Sequence, residues 1–235
     1  MHGPARLHGA TALTRICAID HVLPSRAVAA LRAQVIGARV RDSRTHWYAF
    51  DAPARSLFEQ VIQHLRRVVP AGHEFVGAEW WFRATPTDTG FPFHFDRDEA
   101  IRDSIVSPDL ASILYLSHAG GPTVIVNATP TRRAAPTAGI AIPPRPGRLG
   151  MFPGALLHGV LPAAPSRWPR VTMLVNWWRH VPRMERARAL RGGVLASGHW
   201  RVGAERVATL EPIDPERILA RAAWRDVITG QTTYR

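Results

Sequence analysis

The feature that most constrains the fold is a series of short apolar segments, separated by clusters of glycine and proline, that begins near residue 75. Each segment is rich in β-branched and aromatic side chains, which favour β-strands. Several short strands with turns between them predict a β-sandwich, a β-barrel or a jelly roll. The segments are FVGAEWWFRA at 75–84, SILYLS at 112–117, TVIV at 123–126, RLGMF at 148–152 and VTMLVNWW at 171–178.

The chain before this series is predicted to be helical. Apolar residues recur at helical spacing in PSRAVAALRAQVIGARV, at 24–40, and again from Ala52 to Val69. Pro70 follows the second segment and marks its end. The apolar residues that share one face of this second helix are Leu57, Val61, Ile62, Leu65 and Val68.

After Pro182 the apolar pattern weakens. One short helix is predicted from Met184 to Arg191, and a second begins at Asp214-Pro215-Glu216 and runs to about Val227, because an N-cap aspartate there precedes a first-turn proline. We expect one structural domain of the α+β class. Its regions are N-terminal helices at 1–73 that pack on one sheet, a jelly-roll core at 74–182, and an extension at 183–235 with a short helical appendage.

The composition excludes several kinds of site. The single cysteine, Cys17, rules out an internal disulfide and a multi-cysteine zinc site, and it is best explained as a small buried apolar residue. The chain has no lysine, so Schiff-base and P-loop chemistry are excluded. The net charge of +12 comes entirely from arginine and fits a high-GC coding bias, although it is compatible with an acidic partner such as nucleic acid or an acidic peptide.

The sequence gives no support to export or membrane insertion. The first 17 residues contain no apolar segment of the kind found in secretory signals. No stretch of 18 uncharged apolar residues follows. We therefore expect a cytoplasmic protein without a membrane partner, and the sequence does not predict its oligomeric state.

Three residues form a candidate metal site. In a strand, side chains two residues apart point to the same face, so His94 and Asp96 in FPFHFDRDE project together while Phe93 and Phe95 face the other way. His158 follows a later strand and a Pro-Gly turn, and a closed β-fold can bring it to the same place. Two histidines and one carboxylate leave coordination positions open, which suits non-haem Fe(II) and an oxygen co-substrate.

An arginine on an apolar strand forms a candidate carboxylate site. In PRVTMLVNWW, Arg170 and Thr172 share a face with Leu174, Asn176 and Trp178. A buried guanidinium needs a partner, and a carboxylate is the best geometric match. That carboxylate belongs either to a ligand or to an Asp or Glu of the chain.

At these positions the sequence resembles the Fe(II)/2-oxoglutarate-dependent oxygenases. Their motif is His-x-Asp, a distal His, and then an Arg followed by x-Ser/Thr, which matches His94-Phe95-Asp96, His158 and Arg170-Val171-Thr172. ASILYLSHAGGPTVIV at 111–126 is similar to a prolyl-hydroxylase-like pattern of two strands around Gly-Gly-x-Thr. The resemblance covers about residues 74–178 and implies a double-stranded β-helix, a jelly-roll and cupin-like core. Prolyl hydroxylases place a lysine on 2-oxoglutarate, and this chain has none.

The resemblance implies an activity and its co-substrates. Fe(II) would be held by His94, Asp96 and His158, and the C5 carboxylate of 2-oxoglutarate by Arg170 and Thr172. Tyr115 either adds a hydroxyl there or is a core residue. O2 and 2-oxoglutarate would be consumed, succinate and CO2 formed, and an unactivated C–H bond hydroxylated or desaturated, with ascorbate as a stimulant.

The prime substrate is less constrained. Family habit favours tailoring of an amino-acid side chain in a peptide precursor, or of another natural product. The alternatives are an AlkB-like nucleic-acid demethylase, which Asn176 argues against because that family has a second arginine six positions after the first, and a non-catalytic jelly-roll module or a cupin-type metal enzyme that does not use 2-oxoglutarate. The residues predicted to lie at the mouth of the barrel are Trp80, Arg83, Arg97, Asp98, Glu99, His118, Asn127 and Trp178.

Overall fold

The computed structural model describes residues 15–37, 45–131, 135–183 and 206–219. Its helices are α1 (Ser25–Gly37), α2 (Leu57–Leu65) and α3 (Pro215–Leu219), with a short 3-10 turn at Gly72–Glu74. Its strands are β1 (Cys17–Asp20), β2 (His46–Ala49), β3 (Gly77–Thr85), β4 (Phe91–His94), β5 (Leu110–Tyr115), β6 (Thr123–Val126), β7 (Gly139–Ile142), β8 (Leu149–Pro153), β9 (His158–Val160), β10 (Arg170–Trp178), β11 (Arg206–Val207) and β12 (Glu211–Ile213).

The strands form two antiparallel sheets. The large sheet has the order β11-β1-β8-β5-β10-β3-β2, and the small sheet has the order β12-β7-β6-β9-β4. Strands β3 to β10 contribute four members to each sheet, and β10 lies at the centre between β3 and β5. This arrangement confirms the predicted jelly roll. The described residues are mainly β-structure, and the helices are fewer and shorter than the sequence pattern predicted.

The start of α2 shows why one predicted helix is too long. Ser56 is its N-cap, with extended backbone, and its hydroxyl accepts a hydrogen bond from the Glu59 backbone N–H. The Glu59 carboxylate accepts in turn from the Arg55 backbone N–H. Together these contacts resemble a capping box, and they fix the helix start at Leu57 rather than at Ala52.

The main hydrophobic core lies between the large sheet and the helices α1 and α2. Alternate residues of the two central strands face this core, whereas the residues between them face the interior of the jelly roll. The core-facing side chains include Trp80, Phe82, Val171, Met173, Val175 and Trp177, which pack with Leu31, Leu57 and Ile62. Polar side chains on the opposite face of these strands are therefore enclosed between the two sheets.

The C-terminal part of the described chain extends both sheets. Strand β11 pairs with β1 at one edge of the large sheet, and β12 pairs with β7 at one edge of the small sheet. Helix α3 begins at Pro215, as predicted, while residues beyond 219 and the helix predicted from Met184 to Arg191 lie outside the described residues. Among the helices of the described ranges, none combines the length and the apolar character that a membrane span needs.

An ion pair in the interior ties β1 to the strand that follows β7. Arg148 donates to both carboxylate oxygens of Asp20, over 2.6 Å and 3.0 Å, and Arg145 donates to one of them over 3.0 Å. Asp20 is 5% exposed and Arg148 is 7% exposed. A bidentate pair with this much burial is strongly destabilised when only one partner is removed.

We expect Asp20→Asn to lower the free energy of unfolding by about 2 kcal/mol, because the amide leaves the Arg148 guanidinium without a counter-charge. The hydrogen bond from Arg148 lowers the pKa of Asp20. The stabilisation is thus present above about pH 4 and is lost as the pH falls through the lower, folded-state pKa. Urea unfolding at several pH values measures both effects, with the exposed Asp51→Asn as the control. Equal unfolding curves for the two variants would contradict this role.

Candidate active site

Two neighbouring strands of the small sheet bring the predicted metal ligands together. His94 ends β4, His158 begins β9, and the two residues are paired across the strands. Asp96 lies two residues beyond the end of β4. Its carboxylate oxygens are 3.5 Å from His94 Nε2 and 3.6 Å from His158 Nε2. One ligand atom from each of the three residues lies within 4.8 Å of the other two.

The histidine tautomers are fixed by the backbone. His94 Nδ1 lies 3.0 Å from the Pro92 carbonyl, and His158 Nδ1 lies 2.9 Å from the Leu156 carbonyl. A carbonyl only accepts hydrogen bonds, so each Nδ1 carries a hydrogen and each Nε2 presents its lone pair to the cluster. Such backbone contacts are typical of histidines that bind a metal through the other nitrogen.

The charge states of the cluster suit a cation. Burial by itself would raise the pKa of Asp96, but the neighbouring His158 and His94 outweigh it and hold this pKa at about 2. Burial lowers the pKa of His158 to about 4, so its imidazole is neutral at pH 7. Two neutral imidazoles and a carboxylate that point at one another repel unless a cation lies between them. The donor set fits one divalent metal such as Fe(II).

Arg170 lies in the same interior, where hydroxyl groups surround it. It is 6% exposed and donates to Thr123 Oγ1 over 2.9 Å and to Thr172 Oγ1 over 3.5 Å. Its Nε has no hydrogen-bond partner. Among the residues that the structure describes, no Asp or Glu lies within ion-pair distance of Arg170. A buried guanidinium in this state is a site for a carboxylate from a ligand.

Tyr115 contacts Arg170 mainly through its ring. The guanidinium lies 5.3 Å from the ring centroid, and the Tyr115 hydroxyl is 2.8 Å from Thr123 Oγ1 and 3.0 Å from the Ile142 carbonyl. The hydroxyl therefore orients Thr123, which faces the pocket beside Arg170. Thr123 had no assigned role in the sequence interpretation, although it is the threonine of Gly-Gly-x-Thr.

The turn before Thr123 makes room for Arg170. Gly120 has φ of +92°, and a Cβ atom there would lie 2.6 Å from Arg170 Cδ. We expect Gly120→Ala to weaken the binding of a carboxylate ligand about tenfold, because backbone strain of roughly 1–3 kcal/mol and the clash both displace the guanidinium. Isothermal titration calorimetry with 2-oxoglutarate measures this. Gly37→Ala, where a Cβ atom meets no other atom within 4 Å, is the matched control. Equal affinities for the two variants would show that Arg170 tolerates the added methyl group.

One pocket joins the metal cluster to Arg170. It has about 570 Å³ of empty space, part of it open to solvent, and His94, His158, Arg170, Thr172 and Thr123 all line it. Its remaining walls are largely apolar and include Trp81, Phe91, Ile113 and Leu174. A ligand with a carboxylate at one end can therefore contact both the guanidinium and a bound metal.

The structure separates the residues predicted at the barrel mouth. Arg83 lines the pocket, with its guanidinium 4.2 Å from the centroid of the Phe91 ring. Trp178 is fully buried on the inner face of β10. Trp80 is on the outer face, where it stacks on Phe58 with ring centroids 5.1 Å apart, and Trp81 takes the inner position.

The remaining predicted residues serve the loops. Asp98 is buried and accepts hydrogen bonds from the backbone N–H groups of Ala100 and Arg183. Arg97 and Glu99 form an exposed ion pair at 3.1 Å. Asn127 Oδ1 accepts from the Thr137 and Ala138 backbone N–H groups. His118 is exposed. None of these five lines the pocket that contains His94 and Arg170.

Comparison with known proteins supports the fold. No family model and no curated protein matches the sequence. A prolyl-4-hydroxylase structure from Pseudomonas putida matches with a TM-score of 0.51 at 20% identity, over 77% of this chain and 97% of that chain. SnoK, a non-heme alpha ketoglutarate dependent carbocyclase from nogalamycin biosynthesis, matches with a TM-score of 0.52 at 14% identity, over 88% of this chain and 100% of that chain. The chain thus has the double-stranded β-helix fold of the 2-oxoglutarate/Fe(II) oxygenases, as its sequence resemblance predicted.

Proposed function

We propose that this chain is an Fe(II)/2-oxoglutarate-dependent dioxygenase that hydroxylates an unactivated C–H bond. The observation that carries the proposal is a single pocket that contains both the His94, Asp96 and His158 cluster and the Arg170 guanidinium, which has no acidic partner among the described residues. A non-catalytic jelly-roll module or a cupin-type enzyme without 2-oxoglutarate has no need of that guanidinium.

Each group of residues has a defined task in this proposal. The two imidazoles and the Asp96 carboxylate hold the metal, while Arg170, Thr172 and Thr123 bind and orient the C5 carboxylate of 2-oxoglutarate. Trp81, Ile113 and Leu174 exclude water around them. Iron and 2-oxoglutarate, when bound, supply the oxidising chemistry: one oxygen atom of O2 enters the C–H bond, the other enters succinate, and CO2 is released.

We propose a peptide precursor or another natural product as the prime substrate. The matched structures include a prolyl-4-hydroxylase and SnoK from nogalamycin biosynthesis, both tailoring enzymes of these two kinds. Arg83, which lines the pocket, and Trp178 are the candidate substrate contacts. An AlkB-like demethylase is disfavoured because β10 has Asn176 where a second arginine is expected.

The test is turnover of 2-oxoglutarate without a prime substrate. The purified chain is loaded with Fe(II) in the absence of oxygen, mixed with 2-oxoglutarate, ascorbate and air, and assayed for succinate by mass spectrometry. Succinate formation that stops with a chelator supports the proposal. Metal binding without succinate favours a cupin-type enzyme, and absence of metal binding favours a binding module. Candidate peptides that gain the mass of one oxygen atom would then identify the substrate.

A further inference from the structure

A second carboxyl group lies inside the jelly roll and has no part in the function proposed above. Glu79 on β3 is 7% exposed and lies directly opposite Asn176 on β10, which is 2% exposed. Both side chains point into the space between the sheets, on the same face as Arg170 and Thr172. Neither lines the pocket that contains the guanidinium.

The Asn176 amide links this carboxyl group to the metal cluster. Its side chain forms hydrogen bonds with the carboxylates of both Asp96 and Glu79. Only the amide NH2 group can donate to a carboxylate, so its two hydrogens are shared between Asp96 and Glu79. The Asp96 carboxylate is thereby held by a side chain on the central strand of the large sheet, although Asp96 itself lies beyond the end of β4.

The environment of Glu79 is consistent with a structural partner for Asn176. Burial, followed by the charge of Asp96, raises the pKa of Glu79 to about 8. At neutral pH the carboxyl group is therefore mostly protonated, and it still offers an oxygen that accepts from the amide. It adds little negative charge beside the metal ligands in this form.

We propose that Asn176 is a positioning residue for the Asp96 ligand, and that Glu79 holds the Asn176 amide in place. The proposal rests on the proposed function only in requiring that His94, Asp96 and His158 bind a divalent metal. A carboxylate that lacks its hydrogen-bond partner must be oriented when the metal binds, and loss of such a partner typically weakens metal binding by about 10–100-fold.

The experiment is a titration of the metal-free chain with Co(II), followed by visible absorption. Asn176→Ala and the similarly sized Asn176→Leu are expected to bind Co(II) about 10–100-fold more weakly than the unmodified chain. Val175→Ala is the matched control, because Val175 is fully buried on the same strand but faces the other core. It should lower the melting temperature and leave the Co(II) affinity unchanged.

Glu79 provides the second comparison. Glu79→Gln retains an oxygen that accepts from Asn176 and should bind Co(II) nearly as well as the unmodified chain, whereas Glu79→Leu should resemble Asn176→Ala. If folded Asn176→Ala or Asn176→Leu binds Co(II) within about twofold of the unmodified chain, the positioning role is refuted while the metal site stands. If the unmodified chain itself binds no Co(II), the proposed function fails and this role fails with it.

Discussion

Replacement of His158 by alanine is expected to abolish 2-oxoglutarate turnover and to remove high-affinity metal binding. The imidazole is one of three ligands, and its Nε2 is fixed towards the cluster by the hydrogen bond from Nδ1 to the Leu156 carbonyl. Metal catalysis contributes several kcal/mol to transition-state stabilisation, so we expect a loss of roughly 1000-fold or more in the rate of succinate formation.

The measurement compares succinate formation and Co(II) binding in His158→Ala with those in His118→Ala. His118 is an exposed histidine outside the cluster, so its replacement should change neither quantity. Thermal unfolding checks that His158→Ala is folded, since His158 also packs against Phe152 with ring centroids 4.8 Å apart. A folded His158→Ala variant with normal iron affinity and turnover would show that the ligand set is misassigned.

The central part of the fold and most of the site were predictable because they follow from local rules. The two-residue period of a strand places His94 with Asp96 and Arg170 with Thr172, whatever the rest of the chain does. The spacing of glycine and proline separates the strands of the jelly roll. The ligand His158 needed a further assumption, namely that a closed β-fold brings distant strands together, and the pairing of β4 with β9 fulfils it.

The contacts that were not predicted depend on register and on packing between elements. A shift of one residue reverses the faces of a strand, so the sequence could not decide which of Trp80 and Trp81 faces the pocket. Glu79 and Asn176 meet only because β3 and β10 pair in one particular register. The partnership of Asp20 with Arg148 joins residues far apart in the chain, and nothing in either local sequence indicates it.

Loss of the arginine is expected to weaken 2-oxoglutarate binding specifically. We expect Arg170→Ala to raise the KM for 2-oxoglutarate about 100-fold, since two charge-assisted hydrogen bonds of about 1.5 kcal/mol each are removed. The chain has no lysine that can take over this contact. Thr172→Val and Thr123→Val should each have a smaller effect, because each removes one neutral hydroxyl.

The Arg170 prediction also separates a ligand-binding arginine from a structural one. A structural arginine would lower the melting temperature on replacement and leave the KM unchanged, whereas Arg170 lacks an acidic partner among the described residues and should act mainly on the KM. Arg97→Ala, which removes an exposed arginine paired with Glu99, is the control for loss of charge. Co(II) affinity should remain normal in Arg170→Ala, because the guanidinium donates to Thr123 and Thr172 and not to the metal ligands. A normal KM in folded Arg170→Ala would remove the 2-oxoglutarate assignment and leave a metal site that uses another co-substrate.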